Sequence, residues 1–130
     1  MTGRSDVQPL LWIADLDAAM AWYRDRLGFV ITVFGQADDG GVSTCLASLD
    51  GAAVLLSRDS ALALTGDLGS GHVRLYFHLG SSVDMLHASV RDLPDVEVVQ
   101  VPTTQWWGDR TMILRDPWGT LLVFSSPSPP

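Results

Sequence analysis

The segment His72-Val73-Arg74-Leu75-Tyr76-Phe77-His78-Leu79 alternates strictly between polar and apolar residues. In a β-strand that period puts His72, Arg74, Tyr76 and His78 on one side and Val73, Leu75, Phe77 and Leu79 on the other. A guanidinium, a phenol and two imidazoles can hydrogen-bond or stack, and they match a dry core poorly. The polar side is therefore read as one wall of a wet, aromatic-lined cleft. Tryptophan is a further source of aromatic planes, since the chain has five of them. Trp12 shares a strand face with Gln8 and Leu10, and Trp106 and Trp107 are adjacent in Gln105-Trp106-Trp107-Gly108-Asp109-Arg110. Aromatic planes converging on one cleft suit a flat aromatic ligand held by stacking. The ordinary alternatives are core packing for each Trp and a solvated sheet face for the polar four.

Other chemistries have thinner support. Cys45 is the lone cysteine; with no histidine placed beside it by sequence, it reads more simply as a small core residue than as a nucleophile. Asp15, Asp38, Asp39, Asp50, Asp84, Asp92, Asp95 and Asp116 fall in turns and at helix starts, where carboxylates cap and form turns rather than make catalytic pairs. All 8 basic residues are Arg, so Schiff-base chemistry has no lysine. A net charge of -7 argues against a nucleic-acid groove. One Cys excludes an intrachain disulfide and fits a reducing compartment. With no signal-peptide pattern and no apolar run of membrane-span length, a cytoplasmic protein is expected.

The elements that must position these residues are written twice. Val7–Ala14 reads as a strand, Asp15-Leu16-Asp17 as a helix start, and Asp17–Leu27 as a helix with Leu16, Met20, Tyr23 and Leu27 in one stripe, ended by Gly28. Strands follow at Phe29–Phe34, Val42–Leu49 and Ala52–Ser57, joined by turns at 37–41 and at Asp50-Gly51. The second half repeats the order: strand His72–Leu79, a helical stripe Val83, Leu86, Val90 and Leu93, then strands Val96–Val101, Arg110–Leu114 and Thr120–Phe124. Asp116-Pro117-Trp118-Gly119 is turn chemistry between the last two, with Trp106 and Trp107 at the open mouth of that hairpin. Gly51 and Gly119 occupy matching turns 68 residues apart. The expected fold is α+β: two βαβββ modules, residues 7–57 and 72–125, form a curled mixed sheet with helices on its outer face. Residues 58–71 are a linker with a short helix and a Gly69-Ser70-Gly71 joint, and 126–130 are a disordered tail.

Several ordered pieces carry a family resemblance from Val7 to Phe124: Leu10-Leu11-Trp12-Ile13-Ala14-Asp15-Leu16-Asp17, Trp22-Tyr23-Arg24, Leu27-Gly28-Phe29, Trp107-Gly108, Arg110 and Asp116-Pro117-x-Gly119. The chain resembles the vicinal oxygen chelate superfamily, most closely its bleomycin-resistance-like, drug-binding branch. Metal-dependent members take ligands from equivalent strand positions, which here hold Gln8, Leu55, His72 or Arg74 (Arg74 by the better count) and Val123. Leu and Val cannot ligate, and Arg is already a cation, so the resemblance implies a metal-free protein with no cofactor. Val7-Gln8-Pro9 resembles the first strand that the drug-binding branch exchanges between subunits, which implies a strand-exchanged homodimer that closes open sheet edges and half-clefts.

The function that follows is stoichiometric, non-catalytic sequestration of a small planar aromatic or heteroaromatic natural product, in antibiotic self-resistance. The expected ligand-binding residues are Trp12, Phe34, Cys45, Leu55 and Arg74 on the strands that wall the cleft. Tyr76, His78, Trp106, Trp107 and Val123 complete the set. No nucleic acid or membrane partner is expected. The alternative is a glyoxalase- or dioxygenase-type metalloenzyme with an atypical site, for which Gln8, His72 and His78 are the available ligands. A third reading gives Cys45 or Arg74 acid-base or addition chemistry.

Overall fold

The computed structural model describes residues 8–59 and 73–128. The linker reading for 60–71 and the candidate His72 lie outside the described residues. The first module comprises β1 (Leu10–Trp12), α1 (Leu16–Leu27), β2 (Val30–Gln36), β3 (Val42–Leu49) and β4 (Ala52–Ser57). The second comprises β5 (Arg74–His78), α2 (Val83–Val90), β6 (Glu97–Thr104), β7 (Asp109–Arg115) and β8 (Leu121–Pro127). This is the βαβββ order, twice.

The modules do not share one sheet. Each forms its own four-stranded mixed sheet, ordered β1-β4-β3-β2 and β5-β8-β7-β6. In each, the first strand runs parallel to the last, since the helix crosses over between them. Strand β1 pairs with β4 of its own chain, with Leu10 opposite Leu55 and Trp12 opposite Ser57. What joins the halves is side chains packed on the helices.

Local chemistry explains the element ends. The Asp15 carboxylate accepts from Ala18 N at 3.1 Å and caps α1, and Gly28 closes it at φ 80°, a left-handed conformation costly for other residues. Asp50 and Gly51, at φ 51° and 85°, make the tight β3–β4 turn. The last strand runs further than the sequence suggests. Ser125, Ser126 and Pro127 continue β8, with Ser126 opposite Arg110 and Pro127 opposite Asp109, and both serines are buried. The tail reading of 126–127 is corrected on this point: pairing with β7 satisfies backbone groups that composition alone would leave to water.

The core lies between sheets and helices. Leu16, Ala19, Trp22, Tyr23 and Leu27 of α1 are buried with Val54, Leu56, Phe77, Val83, Val90, Met112, Leu122 and Phe124. Phe29 of the first module meets Phe77 of the second edge-on at 5.6 Å. Trp22 meets Trp118 edge-on at 6.2 Å and donates Nε1–H to Asp95 O at 2.9 Å. The Tyr23 hydroxyl donates to Asp116 Oδ2 at 2.6 Å. Helix α1 thus docks on the turns of the other module.

Candidate functional site

Because helices cover one side of each sheet, the opposite sides carry no covering element among the described residues, although Ser57, Thr111 and Ser125 on them are buried. On the first sheet the open face carries the row Leu10, Leu55, Leu46 and Thr32, followed by Trp12, Ser57 and Thr44. On the second sheet the matching row is Tyr76, Val123, Ile113 and Gln100, followed by His78, Ser125 and Thr111. The repeat places Leu55 with Val123, Leu10 with Tyr76 and Trp12 with His78. Even the hydroxyls repeat. Ser57 and Ser125, 68 residues apart, sit beside Thr44 and Thr111.

Strand alternation delivers what the sequence of β5 requires: Phe77 is buried, while Arg74, Tyr76 and His78 are exposed on the open side. The Tyr76 and His78 rings lie 5.0 Å apart, tilted by 46°. Trp106 and Trp107 cap the β6–β7 hairpin, whose four-residue tip is closed by Gln105 N–H to Asp109 O at 2.7 Å and by Gly108 at φ 99°. Their rings meet edge-on at 5.3 Å. The hairpin end folds polar side chains back over the face. Trp107 Nε1–H donates to Asp109 Oδ2 at 3.3 Å, the Ser125 hydroxyl donates to the same oxygen at 3.4 Å, and Gln105 Nε2 donates to Thr111 Oγ1 at 2.7 Å. Trp107 is thereby held beside the row that contains His78.

The first face is organised around Trp12. Its Nε1–H donates to Asp59 O at 3.0 Å, which fixes the indole across the end of β4. Thr44 and Ser57 hydroxyls pair at 3.0 Å beside it. Among the described residues no ring contact joins Trp12 to Tyr76, His78, Trp106 or Trp107. The candidates therefore form two half-sites, one on each sheet.

Two expected residues are placed elsewhere. Cys45 pairs with Leu56 on the helix-facing side of the first sheet and is fully buried, so the cleft assignment is corrected: the packing of α1 on β3 decides which side is core. Burial pushes the Cys45 thiol above its ordinary pKa, which keeps it protonated and unsuited to addition chemistry. Phe34 is exposed at a bulge in the edge strand β2, across β4 and β3 from Trp12. Strand spacing puts it about 14 Å from β1, so the structure does not bring the two together.

Among the described residues the positions expected to hold a metal do not form a ligand set. Leu55 and Val123 sit mid-sheet on the two open faces, Gln8 donates its amide to Ala53 O at 3.4 Å, and Arg74 is a cation. Among the described residues no three His, Cys, Asp or Glu side chains are grouped to hold a metal ion.

Leu46, Ile113 and Asp109 belong to the open faces, yet nothing in their types draws attention to them. The signal was available in combination: alternation gives the face, and the 68-residue offset between the modules gives the row.

The chain is similar in fold to several solved structures. TioX from Micromonospora sp. ML1 matches with a TM-score of 0.74 at 23% identity, over 97% of this chain and 98% of that one. A glyoxalase-related enzyme from Clostridium phytofermentans matches at 0.69 and 16% identity, over 98% of both chains. A glyoxalase/bleomycin resistance protein/dioxygenase from Nocardioides matches at 0.65 and 18%, over 98% of this chain and 86% of that one. None of the curated proteins matches. No helix among the described residues is long and apolar enough to cross a membrane. The family model described as Glyoxalase/Bleomycin resistance protein/Dioxygenase superfamily matches residues 7–124, which span both modules, both sheets and both open faces. With the duplicated βαβββ fold, that match makes this chain a member of the glyoxalase/bleomycin resistance protein/dioxygenase superfamily.

Proposed function

We propose that the protein binds a small planar aromatic natural product and holds it unchanged, as a sequestering protein of the bleomycin-resistance type. One observation carries this reading. Trp12, Tyr76 and Trp107 are 41%, 47% and 48% exposed and border open sheet faces whose central rows are mainly hydrocarbon, and Trp106, 91% exposed, adjoins Trp107 at the hairpin tip. A flat ligand covering such surface gains apolar burial and stacking, and micromolar affinity corresponds to about 8 kcal/mol. The buried thiol of Cys45 supplies no nucleophile, and the positions that would ligate a metal hold Leu55 and Val123. A single free cysteine suits a reducing compartment, which supports a cytoplasmic setting.

The test is a titration of tryptophan emission with a panel of flat aromatic antibiotics. At least one should quench with micromolar or tighter affinity and be recovered intact after prolonged incubation. A chemically altered ligand, or no binding across the panel, would overturn the reading.

Two half-sites on separate sheets call for a second copy that sets the first sheet of one chain against the second sheet of the other. The same reading therefore includes a homodimer, by strand exchange at β1 or by simple face-to-face packing. Light scattering at micromolar concentration should give twice the 14.1 kDa chain mass. A monomer that retains full ligand affinity would exclude the dimer.

A further inference from the structure

The arginines are unevenly partnered. Among the described residues six of them are ion-paired: Arg24 with Asp25, Arg26 with Asp95, Arg58 with Asp39, Arg91 with Asp92, Arg110 with Asp84 and Arg115 with Glu97. Arg110 is held from two directions, by Asp84 at 2.6 and 2.9 Å and by Thr104 Oγ1 at 3.1 Å. Among the described residues Arg74 meets neither a carboxylate nor a hydrogen-bond acceptor, and it is exposed on the open face of the second sheet. In a chain with 15 acidic residues against 8 basic ones, an arginine left without a partner is conspicuous.

Its neighbours give the position meaning. Arg74, Tyr76 and His78 follow one another on the same side of β5, so the guanidinium flanks the apolar row Tyr76, Val123 and Ile113 and lies about 13 Å along the strand from His78. Along the strands on the other side of that row, past His78, Ser125 and Thr111, stands Asp109, which already accepts from Trp107 and Ser125. The face is thus cationic at the Arg74 end, hydrocarbon in the middle and carboxylate-bearing at the hairpin end. A ring system lying on the middle would bring one edge to a planar donor fork, whose geometry fits a carboxylate.

We infer that this face selects an aromatic acid, with the ring over Tyr76, Val123 and Ile113 and the carboxylate on the Arg74 guanidinium. The inference rests on the reading that the open faces hold a flat aromatic molecule, and it adds the ligand's charge and orientation. Local charge outweighs the acidic balance of the whole chain, because screening confines the latter's reach to about 8–10 Å.

The experiment compares two probes of nearly equal shape, 2-naphthoate and its neutral analogue 2-naphthamide, by quenching of tryptophan emission in the full-length protein. The parent should bind naphthoate about five- to tenfold more tightly than the amide, an advantage that added salt reduces. Arg74→Gln should bring the two affinities together by weakening naphthoate far more than the amide. Arg115→Gln, which removes the same charge from the same row but from a guanidinium already engaged by Glu97, should keep the preference. Circular dichroism melting of all three proteins checks that each is folded. Equal binding of the two probes to the parent, or an equal loss of preference in both variants, would overturn the inference and leave the flat-aromatic reading standing. If neither probe binds the parent, the inference fails, and the antibiotic panel alone decides the flat-aromatic reading.

Discussion

Asp116→Ala should lower folding stability by about 3–5 kcal/mol, among the largest effects expected of a single change in this chain. The carboxylate is only 3% exposed and has all its work inside the protein. Oδ1 accepts the backbone N–H groups of Trp118 at 3.0 Å and Thr120 at 2.7 Å, and Oδ2 accepts the Tyr23 hydroxyl at 2.6 Å. Removing it leaves a buried N–H and a buried hydroxyl without partners and frees the β7–β8 turn. It also cuts one of the polar links from α1 to the second module, beside those of Trp22 and Arg26 to Asp95, so the packing between the halves should weaken with it. Urea unfolding of the variant would check this, and a loss under about 1 kcal/mol would show that the turn holds without its carboxylate.

The same link has a pH signature. Burial raises the Tyr23 phenol above its ordinary value, with the Asp116 charge and hydrogen bond adding to the shift. The folded state therefore keeps a proton that the unfolded chain releases near pH 10, and stability must fall as pH rises above that point. Below about pH 10 the contribution is present in full. Tyr23→Phe should start less stable, by about 1.5–3 kcal/mol, because a buried carboxylate oxygen loses its donor. It should then lose less between pH 9 and 11 than the parent does. Parallel loss in the two proteins would place the alkaline sensitivity elsewhere.

That link also shows why sequence reveals some of this molecule and hides the rest. The strands Val42–Leu49 and Ala52–Ser57 are found where the pattern puts them, because Asp50-Gly51 forces a two-residue turn with both φ values positive. The caps at Asp15 and Gly28 are equally local. By contrast, Tyr23 to Asp116 spans 93 positions and Trp22 to Asp95 spans 73, and no local pattern encodes either. Edge strands β2 and β6 run beyond the ends that alternation predicts, because bulges interrupt them at Val33/Gly35 and between Val98 and Thr103. The site divides in the same way. Alternation in β5 assigns Arg74, Tyr76 and His78 to the open side, whereas the mixed sequence Val42-Ser43-Thr44-Cys45-Leu46-Ala47 has apolar residues on both faces. Only the docking of α1 decides that Cys45 is core and Leu46 is not.

Trp107→Ala should separate binding from folding more sharply than any other tryptophan change. The indole is 48% exposed, touches Trp106 edge-on and makes one long hydrogen bond to Asp109 at 3.3 Å, so its removal opens no cavity. Folding stability should change by less than about 1 kcal/mol. If the side chain walls the ligand slot, its loss deletes stacking worth about 0.5–1.5 kcal/mol together with apolar contact, and affinity falls roughly tenfold or more. Trp22→Ala is the contrasting case. That indole is 6% exposed between Tyr23 and Trp118 and donates to Asp95, so truncation should cost about 3–5 kcal/mol of folding stability. Melting and emission quenching on the same samples read both effects. A folded Trp107→Ala protein with undiminished affinity would remove the hairpin tip from the site and shift the stacking role to Trp12 on the first sheet, whose indole Asp59 already holds in place.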